Sequence, residues 1–405
     1  FGNTKRLYCF PPARIIRQIN IMSTKTIKPI NSGSKKECAP IPKSAGRLFK
    51  KQWYLKSPAG SKLAIPADVS AAEAWKITKG KREIVVAIID GGFDLSHPDL
   101  SVPGKIVYPR NYTIKRKSIF SINDQGTNHG TMCAGIAVAE SKTNGISGIA
   151  NNCSLMPVCM PPDADNDLMI KIFEETAVHA DVICCSWSPP PVYAPLPESL
   201  YRTLNSITAN GGPRKKGVVI CFSASNYNAP VNDPDNKQFF WFDKQTGSFK
   251  ITRGPILNGY AAHPSVITVS ASTSLNKKAV YSNWGREISV CAPSNNFHPL
   301  VPESRVKGRR DIWTTDNNKS YTGAFGGTSA ATALVAGTAA LVLSANPSLA
   351  PAEVKKILEN TADKIQDTEA DMILGESRGT YINGHSWWFG YGKINAASAV
   401  IKAKK

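Results

Sequence analysis

Short apolar runs rich in β-branched residues recur along the chain from about residue 70 onward, and they predict β-strands. Five such runs are EIVVAII at 83–89, CSLMPVC at 153–159, DVICCS at 181–186, VVICF at 218–222 and VITVSAS at 266–272. Between them, segments 166–180 and 197–210 carry apolar residues at spacings of three and four, as amphipathic helices do. This alternation predicts one α/β domain, with a mostly parallel sheet covered by helices on both faces.

Three other segments complete the organisation of the chain. Residues 351–361, PAEVKKILENT, predict a surface helix with proline in its first turn. Residues 227–258 are rich in turn residues and contain two aromatic clusters, so we expect an inserted loop or hairpin there. Residues 1–50, rich in lysine, serine and proline, are expected to form a basic, mobile N-terminal arm, which leaves 51–405 as the folded domain.

The positive charge is concentrated at one end of the chain. The formal net charge is +19, from 49 Lys and Arg against 30 Asp and Glu, and residues 1–62 hold 14 of the basic residues but only one acid, Glu37. Residues 1–62 therefore carry +13 and the rest of the chain only +6. A solvated tail is the favoured interpretation of such a charge block, and no nucleic-acid site is expected.

The sequence gives only weak indications of the cellular location of the protein. No apolar run reaches the roughly 18 residues of a membrane-spanning helix. We expect the protein to be a monomer. The stretch KRLYCFPPARIIRQINI does not predict an export signal, because Arg14, Arg17 and a proline pair interrupt it. A cytoplasmic location is slightly favoured, and secretion stays open if further residues precede Phe1. The nine cysteines are expected to be buried free thiols, which suit a reducing compartment.

Three polar side chains stand at the ends of regular elements, in the order Asp, His, Ser. Asp90 ends a buried strand, His129 precedes a helix of small residues, and Ser329 lies in the run GGTSAATALVAG. Each alone has a simpler explanation, namely a turn residue, a cap or core histidine, and an N-cap serine. Together they supply what a serine nucleophile needs: an imidazole that takes its proton and a carboxylate that orients the imidazole.

The segments AIIDGGFDLSHPDL, HGTMCAG and GTSAATALVAG, which contain these three residues, carry a family resemblance. They resemble the signatures of the subtilisin-like serine peptidases, the subtilases, and the similarity extends from Gln52 almost to the C-terminus. The resemblance implies a three-layer α/β fold and a catalytic triad of Asp90, His129 and Ser329. It also implies an oxyanion hole in which the Asn226 side chain joins the backbone N–H of Ser329.

The resemblance also implies where the substrate binds. Ser186, Trp187 and Ser188 match the strand that pairs with the substrate backbone, and Ser225 matches a wall of the pocket for P1, the residue before the scissile bond. The segment has features of the kexin-like branch, but three prolines at 189–191 replace the acids with which that branch selects basic residues. Because Ser188 and Ser225 stand where the family usually has glycine, we expect a narrowed pocket for small or medium P1 residues.

Calcium is the cofactor to which the resemblance points, although the chemistry itself requires none. The family often holds a structural calcium ion, and Asp99 and Asn144 match two ligand positions, whereas Gly46 and Lys142 argue against the ion. A structural calcium ion is therefore a candidate. Cys133 lies one helical turn after the triad histidine, where a packed small hydrophobe is favoured, although some family members carry a thiol beneath the histidine.

These observations predict a serine endopeptidase that hydrolyses polypeptides through an acyl-enzyme on Ser329. One alternative is an enzyme that matures a single precursor peptide, or that joins peptide ends when an amine instead of water attacks the acyl-enzyme. A non-catalytic binding protein on the same fold is the alternative from another class. The presence of all four catalytic groups argues against that alternative.

Overall fold

The computed structural model describes residues 48–57, 63–113, 128–141, 145–301 and 306–405. The predicted N-terminal arm therefore lies outside the described residues except for positions 48–50, and so do Gly46, Lys142 and Asn144.

Strands and helices alternate along most of the described chain. The strands are β1 (Val85–Asp90), β2 (Arg110–Asn111), β3 (Ser154–Cys159), β4 (Val182–Cys185), β5 (Tyr193–Ala194), β6 (Val219–Ser223), β7 (Asn232–Asp233), β8 (Gln238–Asp243), β9 (Ser248–Arg253), β10 (Ile256–Asn258), β11 (Ile267–Ser272), β12 (Val290–Pro293), β13 (Ile312–Asp316) and β14 (Ser320–Phe325). The α-helices are α1 (Ala71–Ala74), α2 (His129–Val138), α3 (Asn166–Ala177), α4 (Glu198–Asn210), α5 (Gly327–Ala345), α6 (Pro351–Asn360) and α7 (Ala396–Ala403).

Seven parallel strands form the central sheet, in the order β12-β11-β6-β4-β1-β3-β2. Strand β1 lies inside this sheet, and all six of its residues are buried. Val86 and Ile88 belong to one apolar core with α2, α5 and α7, whereas Val85, Ala87 and Ile89 belong to a second core with α3 and α4. Successive strand residues point to opposite faces, so the two cores lie on opposite sides of the sheet. This is the three-layer α/β arrangement that the sequence predicts.

Helix α5 is enclosed by the rest of the protein. Every residue from Gly327 to Ser344 is buried. Among the described residues it is the one helix long and apolar enough to cross a membrane, and 94% of its apolar window is buried inside the fold. It is therefore packed as a core helix.

Helices α2 and α5 approach each other closely because glycine lies at their contact. A Cβ atom added at Gly337 would lie 2.1 Å from Cγ2 of Ile149 and 2.9 Å from the carbonyl oxygen of Ala137. Helix α2 begins at His129, and Ser329 lies in the first turn of α5. The close contact of the two helices therefore helps to set the separation of these two side chains.

The segment 227–258 contains a hairpin. Strands β8 and β9 pair in antiparallel register from Gln238↔Arg253 to Asp243↔Ser248. On either side of the hairpin, β7 and β10 form a three-stranded sheet with β5. The hairpin is thus attached at its base to the segment that follows β4.

The five predicted strands are confirmed, with ends that differ by at most two residues, and the three predicted helices correspond to α3, α4 and α6. The sequence analysis missed the β13–β14 pair, whose strands mix polar and apolar residues and are only partly buried. Among the residues that the structure describes, Cys133, Cys153, Cys184, Cys185, Cys221 and Cys291 are free and buried, as predicted.

We predict that Gly337→Ala destabilises the fold. In an uncrowded helix interior this change stabilises by about 1 kcal/mol. Here the new methyl group has no space beside Ile149 and Ala137, so we expect a net loss of about 1–3 kcal/mol in the free energy of unfolding. Denaturant unfolding measures this change. A stabilised variant would show that the contact between α2 and α5 is not tight.

Candidate active site

Asp90 is the last residue of β1, at the edge where the parallel strands of the sheet end. Polar groups at this edge of an open α/β sheet commonly form binding sites. The side chain is buried, and the N–H of Gly91 donates to Oδ1 at 2.7 Å. One carboxylate oxygen is thus held by the turn that follows the strand, and the other faces helix α2.

His129 is the first residue of α2, and its Nδ1 lies 2.7 Å from Oδ2 of Asp90. An ionised carboxylate only accepts hydrogen bonds, so Nδ1 donates and Nε2 is the acceptor of the neutral ring. The ring of Phe325 packs edge-on against the imidazole at a centroid distance of 5.5 Å. The structure therefore brings a candidate general base and its orienting carboxylate together.

The pKa of His129 is raised well above its usual 6.5. Burial acts in the opposite direction, because it disfavours the charged ring. The negative charge of Asp90 and its hydrogen bond, together with Cys133, outweigh burial and favour the protonated form.

Cys133 lies beneath the imidazole. Its Sγ is 3.8 Å from Nδ1 of His129, and the side chain is fully buried. The ligand atoms of Asp90, His129 and Cys133 all lie within 4.8 Å of one another, which makes this group the candidate metal cluster among the described residues. Nδ1 already donates to Asp90, so a metal ion there would replace the hydrogen bond that orients the ring.

Ser329 lies in the first turn of α5. Gly327, at the start of the helix, has φ +72°, a left-handed conformation that favours glycine. The hydroxyl of Ser329 donates to the carbonyl oxygen of Ser186 at 3.0 Å, and the Ser186 hydroxyl donates back to the Ser329 carbonyl at 3.1 Å. The Ser329 hydroxyl therefore points at Ser186 in this structure, and no hydrogen bond to His129 is found among the described residues.

Asn226 is held by the residue that precedes Ser329. Its Oδ1 accepts hydrogen bonds from the Thr328 backbone N–H at 2.8 Å and from the Thr328 hydroxyl at 3.0 Å. Both donors require an oxygen, so the orientation of the amide is fixed and its NH₂ group lies on the other side.

The first N–H groups of α5 are satisfied by side chains, since they have no partners within the helix. Gly327 donates to Oδ1 of Asn295 at 3.0 Å, and Thr328 donates to Asn226. The next N–H, that of Ser329, has no acceptor among the residues that the structure describes. It is a second donor beside Asn226.

The predicted substrate-binding residues adjoin these donors, since Ser186 hydrogen-bonds to Ser329 and Ser225 directly precedes Asn226. Ser186, Trp187 and Ser188 follow directly after β4. The half-buried Trp187 indole packs against the second core and donates to the carbonyl of Ile89 at 3.0 Å, so its N–H is already occupied. Ser225 precedes Asn226, is 2% exposed and has φ +89°, which is unusual for a residue other than glycine.

Sequence reasoning missed two residues of this site. The N–H and hydroxyl of Thr328 fix the amide of Asn226, a role that the sequence does not predict. Asn295 lies 32 residues before its partner Gly327, in a segment without periodicity. The motif GTSAATALVAG contains Thr328, but nothing in the sequence points to Asn295.

Asp99, one of the two expected calcium ligands, already accepts hydrogen bonds from protein donors. Its Oδ2 accepts hydrogen bonds from the N–H of Ile146 at 2.8 Å and the hydroxyl of Tyr321 at 2.9 Å. Gly145 packs so closely that a Cβ atom there would lie 2.0 Å from the same oxygen. A calcium ion bound at Oδ2 would have to displace these two donors. Asn144, the other expected ligand, is outside the described residues.

Comparison with known proteins identifies the family. Residues 81–377 match the sequence model of the Subtilase family, Peptidase_S8. The chain is 34% identical over 383 residues to the calcium-dependent protease of Nostoc sp., which covers 87% of this chain and 51% of that protein. It is 28% identical over 320 residues to Subtilisin E of Bacillus subtilis, which covers 78% of this chain and 65% of that protein. The chain belongs to the subtilase family.

Solved structures show the same fold. A serine protease of Aeromonas sobria, solved in complex with its chaperone, aligns with a TM-score of 0.69 and 19% identity over 92% of this chain and 68% of that one. A lanthipeptide protease aligns with a TM-score of 0.59 and 23% identity over 88% of this chain and 95% of that one. The chain spans about half the length of the curated Nostoc relative. The kexin-like features stay a prediction from the sequence.

The raised pKa of His129 predicts the pH dependence of the site. A general base must be neutral, so kcat/KM should fall as the pH drops through the pKa of His129, with a midpoint above 6.5. Asp90→Asn removes the charge that raises this pKa. The midpoint should therefore move to lower pH, while kcat falls about ten-thousandfold.

The measurement is kcat/KM for one peptide substrate across the pH range, for both proteins. A midpoint at or below 6.5 in the unmodified enzyme, or no movement in Asp90→Asn, would contradict the assignment.

Proposed function

We propose that this chain is a serine endopeptidase that forms an acyl-enzyme on Ser329. The observation that carries the proposal is the 2.7 Å hydrogen bond between Asp90 and His129. This hydrogen bond orients the imidazole at the start of α2, and Ser329 lies in the first turn of α5, which packs against α2. Polypeptides are the substrate class that membership of the family implies.

Acylation begins when the Ser329 side chain rotates from the carbonyl of Ser186 toward Nε2 of His129. Such a rotation is expected, because catalytic hydrogen bonds often tighten only when substrate binds. Nε2 takes the hydroxyl proton while Oγ bonds to the substrate carbonyl carbon. The imidazolium then gives this proton to the leaving amine as the C–N bond breaks.

The tetrahedral intermediate carries a negative oxygen that needs donors. The NH₂ group of Asn226 and the N–H of Ser329 are the two candidates, since Thr328 fixes the first and the helix start leaves the second available. One donor of this kind typically contributes about 100- to 1000-fold to kcat. Asn226 is therefore assigned to transition-state stabilisation.

Deacylation separates the two catalytic alternatives. If water attacks the acyl-enzyme, with His129 again as base, the products are two peptides. If the amine of a peptide attacks, a new peptide bond forms instead. We favour hydrolysis, because it requires no site for a second peptide.

The non-catalytic alternative is disfavoured by geometry. A protein that only binds peptides needs no hydrogen bond between Asp90 and His129, and no amide of Asn226 fixed by Thr328. Both interactions are present in this chain.

The proposed activity is tested by incubating the purified chain and Ser329→Ala with an unstructured polypeptide and measuring product masses. Hydrolysis adds the mass of one water for each bond broken, whereas transfer gives rearranged or cyclic products without that water. We expect only water-added fragments, and none with Ser329→Ala. Intact substrate after treatment with a folded enzyme would refute the proposal.

We predict that Ser225→Gly widens the P1 preference and stabilises the protein. Glycine removes a side chain from the predicted pocket wall, so kcat/KM for a Phe P1 residue should rise about tenfold relative to Ala. It also relieves the left-handed backbone at φ +89°, a strain of about 1–3 kcal/mol.

The matched control is Asn383→Gly, because Asn383 also has a positive φ, +52°, but lies in an exposed turn outside the predicted pocket segments. It should leave the P1 preference unchanged. A P1 profile unaltered in Ser225→Gly, or one already dominated by Arg and Lys in the unmodified enzyme, would overturn the assignment of the pocket.

Calcium is proposed not to bind at Asp99, since that carboxylate already accepts hydrogen bonds from Ile146 and Tyr321. We predict that added calcium changes Tm by the same amount in the unmodified chain and in Asp99→Asn. A site at Asp99 saturated to 100 times its Kd would instead add about 2.7 kcal/mol to the unmodified chain alone. Thermal unfolding with and without a chelator gives the answer, and a calcium-dependent stabilisation lost in Asp99→Asn would contradict the proposal.

A further inference from the structure

Three consecutive prolines follow the segment Ser186–Ser188 that is expected to bind substrate. Proline has no backbone N–H, so residues 189–191 donate no main-chain hydrogen bonds of their own. Two groups from the inserted segment 227–258 donate to carbonyl oxygens here instead. The Thr252 hydroxyl donates to Pro191 at 2.5 Å, and the Leu257 N–H donates to Val192 at 3.0 Å.

The β8–β9 hairpin turns one of its faces toward this segment. Trp241 and Thr252 are on that face and are both 7% exposed. The indole N–H of Trp241 donates to Oγ1 of Thr252 at 3.1 Å, and Thr252 donates in turn to Pro191. A chain of two hydrogen bonds thus runs from the hairpin to one side of the predicted P1 pocket.

The same tryptophan contacts the other side of the pocket. Its ring packs edge-on against Tyr227 at a centroid distance of 5.3 Å, and Tyr227 directly follows Asn226. The backbone N–H of Tyr227 donates to Oδ1 of Asn283 at 2.9 Å, and this hydrogen bond fixes the backbone that follows Asn226. Trp241 therefore contacts Tyr227 directly and is linked to the proline segment through Thr252.

The base of the hairpin is also tied to the proline segment. Strand β10 pairs in parallel with β5, with Leu257 opposite Tyr193, and in antiparallel register with β7. A small sheet and a buried hydrogen-bond chain therefore join the insertion to the pocket at two places.

The opposite face of the hairpin does not take part in these contacts. Its partners across the strands are Phe240 with Ile251 and Phe242 with Phe249. Phe249 and Ile251 are 41% and 44% exposed. This face supplies control substitutions within the same hairpin.

We propose that the β8–β9 hairpin is a positioning element of the P1 pocket, in which Thr252 and Trp241 hold residues 189–191 and Tyr227 at a fixed separation and thereby set the P1 preference. The inference rests on the proposed peptidase function and deepens it. It assigns two features of the sequence, the proline run and the insertion, to one structural unit that positions the pocket.

The test compares Thr252→Val, which keeps the shape but removes the hydroxyl, with Thr252→Ser, which keeps the hydroxyl. Phe249→Ala on the outward face is the matched control. For each protein, kcat and KM are measured with peptides that differ only at P1, from Ala to Phe. The rate at which a small fluorophosphonate labels Ser329 is measured in parallel, because that reagent has no P1 side chain.

We expect Thr252→Val to change the ratio of kcat/KM between the Ala and Phe peptides by about tenfold. Its labelling rate should stay within about twofold of the unmodified enzyme, and Thr252→Ser and Phe249→Ala should keep the original ratio. Trp241→Phe, which retains a ring against Tyr227 but lacks the indole N–H, should behave like Thr252→Val.

The inference would be overturned if the ratio of kcat/KM between the Ala and Phe peptides were unchanged in both Thr252→Val and Trp241→Phe. It would also be overturned if labelling and the cleavage of all peptides fell together, because that result indicates a general structural role. Failure of the proposed function is distinct from both, since the unmodified chain would then neither cleave peptides nor react with the reagent.

Discussion

The burial of helix α5 is the constraint on which the rest of the structure depends. A helix without an exposed face needs cover on every side, and here the central sheet, α2 and α7 supply it. Its N-terminus then lies among segments that follow β6 and β12, where its first N–H groups need acceptors. Asn295 and Asn226 accept from Gly327 and Thr328, and the N–H of Ser329 is left facing the site. The same requirement that buries the helix thus leaves one N–H donor available at its first turn.

The candidate chemistry follows from where three elements end. β1 ends at Asp90, α2 begins at His129, and the close contact at Gly337 holds α2 against α5. The hydrogen bond from His129 to Asp90 fixes the tautomer and raises the pKa of the imidazole, so the base is oriented before substrate arrives. The nucleophile is not yet engaged, because the hydroxyl of Ser329 donates to a neighbouring carbonyl. The proposed mechanism therefore begins with a rotation of the Ser329 side chain toward His129.

The sequence was sufficient for the layers of the fold and for the residues at the ends of its elements. Apolar strands covered on both faces have a pattern that can be recognised, and so have amphipathic helices such as α3 and α4. The remaining features depend on contacts between loops, which no periodicity describes. Asn295 meets its partner across 32 residues, and Thr252 meets Pro191 across 61. The direction of the Ser329 hydroxyl and the two hydrogen bonds that Asp99 accepts from Ile146 and Tyr321 likewise depend on three-dimensional packing.

The central claim is that Ser329 is an activated nucleophile. The most direct measurement is the intact mass of the purified chain after treatment with a fluorophosphonate, compared with that of Ser329→Ala treated in the same way. The account predicts one covalent adduct on the unmodified chain and none on the variant, because only a serine next to an oriented base reacts readily with this reagent. No adduct on a folded chain, or an equal adduct on Ser329→Ala, would contradict it.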